Sequence, residues 1–263
     1  MTSTDLDLLQ AMDPAVFARE CGIINPDPSQ AEILRYEGDR LMLNCTRQYG
    51  KSTVIAHKAY HKATYDPSSL VLLLSPSLRQ SSELFRKVLD VDNAYGIRLK
   101  KVEDSKLYMT LENGSRIISL PGKEGTIRGY SGAALIIIDE AAQVLDNLYL
   151  SIKPMLAVSH GSLILMSTPH GKRGFFFHEW DEAAGWEKVM ITAAECPRIT
   201  PEFLAQEKES MPERWYRQEY FCEFVETEDQ VFPYDLIAEA FQHGVKPLYS
   251  DIVSDAIKPM EFG

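Results

Sequence analysis

The sequence predicts an α/β fold with a mainly parallel sheet flanked by helices, and three observations predict it. Leu70-Val-Leu-Leu-Leu74, Ala134-Leu-Ile-Ile-Ile138 and Ser162-Leu-Ile-Leu-Met166 are short, almost wholly apolar runs, as strands covered on both faces are. Residues 41–53 pass from an apolar strand (Leu41, Met42, Leu43) through a polar turn into Gly50-Lys51-Ser52-Thr53. A helical pattern through Val54, Ile55, Ala56 and Ala59 follows. Strand, turn, Gly-Lys-Ser and helix is the context in which a phosphate-binding loop forms.

The 263 residues make one large domain, or one with an appendage. The composition is that of a soluble globular protein. No apolar run approaches the ~18 residues of a membrane span, and the N-terminus has no signal-peptide pattern. The four cysteines form no Cys-x-x-Cys pair and read as reduced thiols in a cytosolic setting. Residues 179–263 carry 7 basic against 19 acidic side chains, a balance of −12, and residues 1–178 carry 20 against 19, a balance of +1. The acidic total of −11 argues against general nucleic-acid binding. It leaves room for a local basic face in residues 79–128, with 10 basic against 7 acidic residues, beside the plain alternative of a solvated mixed surface.

In chain order, residues 5–20 read as an amphipathic helix with Asp13-Pro14 inside it. Asn25-Pro-Asp-Pro-Ser29 breaks the chain, and Gln30 opens a short helix. Spacing alone makes Gln30 an exposed helix residue, although its amide can read an adenine edge. In the loop, backbone N–H groups at a helix N-terminus favour an anion. Lys51 then reaches the β- and γ-phosphates of ATP and Ser52 holds Mg²⁺. The loop departs from the usual pattern, with Cys45 where a first glycine is common and Arg47 in its interior.

The helix after Ser52 ends before Asp66-Pro67, and His57 and His61 on it read as a half-exposed pair. A helix with Arg79, Arg86 and Lys87 follows the second strand. Residues 97–120 alternate in two runs, and Asn113-Gly114 makes a tight turn between them and Arg116-Ile-Ile-Ser-Leu120, which predicts an appended antiparallel hairpin. A glycine-rich loop over 121–132 carries Lys123, Thr126 and Arg128.

The run at 134–138 ends in Asp139-Glu140. Two acids at the C-terminal end of a parallel strand suit a nucleotide site. Asp139 holds Mg²⁺ and Glu140 polarises the attacking water; capping of the next helix is the plainer alternative. Ser167-Thr168-Pro169 ends the next strand, either as a γ-phosphate sensor or as an ordinary turn. Past Phe177 the chain reads as charged, aromatic and largely helical, with Trp215, Tyr216, Tyr220 and Phe221 as a packing stripe.

These motifs together make a RecA-like, additional-strand P-loop NTPase. Their wording resembles the large terminase subunits of tailed bacteriophages, the motors that package DNA. The resemblance rests on Pro28-Ser-Gln30, on Cys45-Thr-Arg-Gln-Tyr-Gly-Lys-Ser52, on Arg128-Gly-Tyr-Ser131, on Ile136-Ile-Ile-Asp-Glu140 and on Ser167-Thr-Pro169. It implies a nucleotide site of Gln30, Arg47, Gln48, Gly50, Lys51, Ser52 and Thr53, with metal at Ser52 and Asp139. It makes Gln30 an adenine contact, Glu140 the catalytic carboxylate, and Ser167, Thr168 and Pro169 the coupling motif. A second cation for the γ-phosphoryl group has two candidates, Arg47 in cis or Arg128 as an arginine finger in trans.

The resemblance further implies an ATPase core over 1–190, a small helical lid over 191–230, and a linker over 231–263 towards a nuclease domain that this chain lacks, so no nuclease activity is expected. The implied partners are double-stranded DNA, copies of the chain in a ring, a portal and a small terminase subunit, with no membrane. The implied place is the host cytoplasm and, transiently, the procapsid portal, not the mature virion. A superfamily 2 helicase-like ATPase and a non-hydrolysing nucleotide-binding assembly protein are the competing readings; the first needs a second RecA-like domain and the second has no use for Glu140.

Overall fold

The structure, a computed structural model, describes residues 3–95, 99–122, 127 and 129–226. Arg128, Lys123, Thr126 and the expected linker 231–263 lie outside the described residues.

Three short helices lead in: α1 (Ser3–Met12), α2 (Pro14–Glu20) and α3 (Pro28–Arg35). The single helix expected over 5–20 is two, because Asp13 starts a new one. Asp13 Oδ1 accepts from the Ala15 and Val16 N–H groups, and Pro14 sits in the first turn, where no N–H is needed. α3 opens in a capping box: Gln30 N donates to Asp27 Oδ1 and Asp27 N donates to Gln30 Oε1.

The remaining elements are β1 (Arg40–Cys45), α4 (Lys51–Tyr65), β2 (Leu70–Ser75), α5 (Leu78–Ala94), β3 (Lys101–Asp104), β4 (Tyr108–Leu111), β5 (Arg116–Pro121), β6 (Leu135–Asp139), α6 (Asp146–Ser159), β7 (Ser162–Ser167), α7 (Gly174–Asp181), β8 (Glu187–Ile191), α8 (Pro201–Ser210) and α9 (Glu213–Phe221). The strands form one sheet in the order β3-β4-β5-β2-β6-β7-β1-β8. From β5 to β8 neighbouring strands are parallel, and β3–β4 and β4–β5 are antiparallel. The expected hairpin is therefore present, turning at Gly114 with φ +83, and its last strand also belongs to the parallel sheet through β2. β7 lies between the loop strand β1 and the acid strand β6, as the additional strand of this fold class does.

Past Phe177 the expected helices are present as α8 and α9, but β8 precedes them where no strand was expected. It pairs in parallel with β1, Leu43 against Val189. As an edge strand it has exposed positions, Glu187 and Met190 among them, and so lacks the continuous apolar run of the inner strands.

Alternate residues of each inner strand enter opposite layers. Leu43, Leu73, Ile137 and Ile164 pack with α2 to α5, and Leu72, Leu74, Ile136, Ile138 and Leu165 pack with α6 and α7. Both faces are covered, which is why the runs are apolar throughout. In the expected lid, α9 meets the loop strand directly: Asn44 Nδ2 donates to Cys222 O at 2.8 Å and Thr46 Oγ1 to Glu219 O at 3.0 Å. Residues up to Val225 form one compact unit. Tyr216 packs its ring against Tyr220 and Phe221, while Trp215 is exposed.

The half-exposed histidine pair is corrected in part. His57 is fully buried, with Nδ1 hydrogen-bonded to Thr53 O; His61 is half-buried, with Nε2 on Gln10 O. The four cysteines are free and buried. Among the described residues no helix is long and apolar enough to cross a membrane.

Candidate active site

The parallel strands deliver their C-terminal ends to one edge, where Cys45, Asp139 and Ser167 stand together. Cys45 is the last residue of β1, fully buried, and the ladder continues through Thr46 N to Ile191 O at 2.9 Å. An extended strand residue has no need of glycine, which accounts for the departure at this position. The turn comes later: Gln48 (φ 62) and Gly50 (φ 91) are left-handed, a conformation that favours glycine. No side chain caps α4 at Gly50, so N–H groups of its first turn remain for an anion.

Lys51 is buried, and its Nζ donates to Cys45 O at 2.9 Å and Thr46 O at 3.3 Å. An ammonium has three donors, so one is left for a phosphate. Tyr49 fixes the loop from behind: its hydroxyl is hydrogen-bonded to Ser29 Oγ at 2.8 Å, and its carbonyl accepts from Gln30 Nε2 at 3.1 Å and from an Arg198 nitrogen at 2.5 Å. Gln30 is 4 % exposed, which corrects the exposed-residue reading. Its amide props the loop and closes the α3 capping box. Arg198 also reaches Asp27 at 3.3 Å and lies over the Tyr49 ring. No local pattern marks Arg198, because its partners are far away in sequence. Thr53 has its carbonyl taken by His57, and Arg47 forms an ion pair with Glu219 of α9.

Opposite the loop, Asp139 Oδ1 accepts from Glu140 N at 3.0 Å. Burial, and then the neighbouring Glu140, push the Asp139 carboxyl up to about 7, while Lys51 and Lys87 pull it down. Glu140 itself sits at φ 49, ψ 45, a left-handed backbone that costs a non-glycine residue about 1–3 kcal/mol and is characteristic of working sites. The turn carries its carboxylate to the next strand, where Ser167 Oγ donates to Glu140 Oε2 at 3.4 Å. Thr168 beside it is buried.

Arg47, Gln48, Gly50, Lys51, Ser52 and Glu140 line one cavity of about 370 Å³, with Gln80 and Lys87 of α5 and with Gln143. Burial pushes the Lys87 ammonium below its usual range, against the pull of Asp139. A cavity of about 420 Å³ at the opposite sheet edge, beside Tyr36, Lys58 and Ser162, contains none of the predicted site residues.

The Ser52 hydroxyl and the Asp139 carboxylate are hard oxygen donors of the kind Mg²⁺ takes alongside phosphate. A cation there relieves the cost of ionising a buried acid beside another acid, so the residues suit the metal. Among the described residues no group of three or more His, Cys, Asp or Glu side chains forms a metal site by itself.

The family model for the terminase large subunit, T4likevirus-type, N-terminal, matches residues 42–239. The terminase large subunit of Escherichia phage T5 is 24% identical over 225 residues, covering 80% of this chain and 50% of that protein. The large terminase ATPase domain of Thermus Phage P74-26 superposes with a TM-score of 0.69 at 20% identity, covering 79% of this chain and 96% of that one. A large terminase from a thermophilic bacteriophage, in complex with ADP, gives a TM-score of 0.62 at 13% identity over 76% of this chain and 54% of that one. The chain spans about half the length of the curated relatives it matches. With the family model matching well over half of its residues, the chain belongs to the terminase large subunit family, as that family's N-terminal part.

Proposed function

We propose that the chain is the ATP-hydrolysing part of a terminase large subunit and that hydrolysis drives double-stranded DNA into a viral procapsid. The observation that supports this best is Glu140, placed on a strained turn across the cleft from Lys51 and bonded to Ser167. A binding-only pocket has no use for that acid.

In this reading the phosphates rest on the first turn of α4 and Lys51 meets the β- and γ-phosphates. Ser52 and Asp139 hold Mg²⁺, which when bound neutralises charge on the phosphate oxygens. Glu140 takes a proton from water as the water oxygen bonds to the γ-phosphorus. The bond from that phosphorus to the β–γ bridging oxygen breaks, and ADP leaves with the electron pair. Ser167 ties Glu140 to Thr168 and Pro169, so a change at the acid is felt in the coupling segment. Gln30 has one amide N–H left for an adenine beyond its bond to Tyr49. Mg²⁺-dependent release of phosphate from ATP tests the reading, and a chain that binds ATP without turnover would overturn it.

DNA contact is assigned to basic residues of 79–128. Lys100, Lys106 and Arg116 are exposed on the hairpin, whereas Arg86 pairs with Glu83 and Lys101 with Asp92. Phosphate contacts carry no sequence information. Affinity for duplex DNA, measured by fluorescence anisotropy, is expected to fall about 10-fold or more between roughly 50 and 200 mM salt and to ignore sequence. A salt-independent or sequence-selective isotherm would contradict it.

Family membership also suggests copies in a ring, a portal and a small terminase subunit as partners, in the host cytoplasm and at the procapsid. Arg128 is the proposed finger in trans. An Arg128→Ala chain and a Glu140→Gln chain, each inactive alone, are expected to regain partial ATPase activity when mixed. Absence of rescue where the subunits associate would count against a finger in trans and leave Arg47 in cis as the better candidate.

A further inference from the structure

Among the described residues three cations line the cleft, and two of them are engaged by the protein. Lys51 donates to the carbonyls of its own loop, and Arg47 pairs with Glu219. Lys87 is half-buried, lines the same cleft, and has no hydrogen bond or ion pair among the described residues.

Its position follows from α5. Leu84, Val88 and Val91 bury one face of this helix, and Lys87 is three or four residues from Leu84 and Val91, so its stem lies along that apolar face with the head directed outward. Gln80 is two turns earlier on the same side and lines the cleft as well. α5 packs beside α4, whose first turn holds Lys51 and Ser52. The charges acting on the Lys87 head are Asp139 of β6 and, on α5 itself, Glu83, Arg86 and Asp90, with Glu83 already paired with Arg86 at 2.6 Å; Arg47, Lys51 and Glu140 line the same cleft. A half-desolvated ammonium facing a phosphate-loop cleft, with no hydrogen bond or ion pair among the described residues, is a costly arrangement for a spacer. An apolar or amide side chain would fill that space more cheaply.

We propose that Lys87 is a further cation of the ATPase site, acting in cis beside Lys51 and additional to the finger in trans, its ammonium meeting the γ-phosphoryl oxygens of bound ATP. ADP has no γ-phosphate, so Lys87 discriminates the two nucleotides and acts on the charge that develops as the γ-phosphoryl group leaves. The inference rests on the reading of the cleft as an ATP site.

The test uses the whole chain as wild type, Lys87→Met, which keeps the apolar stem, and Lys87→Arg, which keeps the charge. Binding of ADP and of ATP-γ-S and turnover of ATP are measured with thermal melts as the control on folding. Removing one preorganised donor of this kind is expected to lower turnover by about 10²-fold in Lys87→Met. Binding of ATP-γ-S should weaken about 10-fold with ADP binding within about 3-fold of wild type, and Lys87→Arg should recover part of both losses. If Lys87→Met turns over and discriminates like wild type, or loses ADP and ATP-γ-S equally, Lys87 has no such role while the ATP reading stands. If the wild-type chain binds neither nucleotide, both fall together.

Discussion

Glu140→Gln is expected to bind ATP like the wild type and to hydrolyse it about 10²–10⁴-fold more slowly, the range that a positioned general base supplies. The substitution is nearly isosteric. An amide oxygen still accepts from Ser167 Oγ, so the side chain keeps the tether that holds it across from the loop. The left-handed backbone at Glu140 is unchanged, and glutamine bears it no worse than glutamate does. Lost are the proton acceptance and one negative charge beside Asp139. That second change lowers the Asp139 carboxyl, since Glu140 is one of the groups that raises it. Nucleotide binding by fluorescence and phosphate release on the same preparation separate the two effects. Turnover at the wild-type rate would move the base elsewhere, and loss of binding would make Glu140 a structural residue.

Lys51→Ala is expected to weaken ATP binding at least about 10²-fold, since charge-assisted contacts to phosphate are the strong ones and a compact ammonium has no substitute at this position. Two further consequences follow from its surroundings. The carbonyls of Cys45 and Thr46 lose their shared donor, which leaves buried acceptors unsatisfied at about 1–3 kcal/mol and lowers the melting temperature. Asp139 loses a cation that pulls its carboxyl down; with that pull gone it protonates more readily near neutral pH, and the Mg²⁺ requirement of any residual binding rises. Isothermal titration with ATP, run below the melting temperature of the variant, checks this. Unaltered affinity would separate Lys51 from the phosphates.

The contrast between these two residues and others at the site shows what a sequence carries. The sheet was legible because inner parallel strands are buried on both faces and leave continuous apolar runs at β2, β6 and β7. The loop and the acid pair were legible because each is a short contiguous motif tied to a strand end. β8 was not, because an edge strand has exposed and half-buried positions that admit Glu187 and Lys188. Gln30 read as a surface residue because its amide reaches the Tyr49 carbonyl, 19 residues on, only after the chain has folded. Lys87 read as one of several helix cations, since nothing within α5 distinguishes a lysine at the cleft from Arg79 or Arg86. Cys45 read as a defect in the loop until the strand was seen to extend through it.

In the proposed reading the cleft between Lys51 and Glu140 hydrolyses ATP. Single-turnover phosphate release decides this, with the chain in excess over trace ATP and Mg²⁺ present, so that weak affinity or dilute subunits do not mask the chemistry. The wild-type chain is expected to convert the bound ATP to ADP and phosphate, while Glu140→Gln retains it uncleaved and Lys51→Ala does not retain it. Phosphate release by Glu140→Gln at the wild-type rate, or no release by a wild-type chain that holds ATP, would contradict the claim.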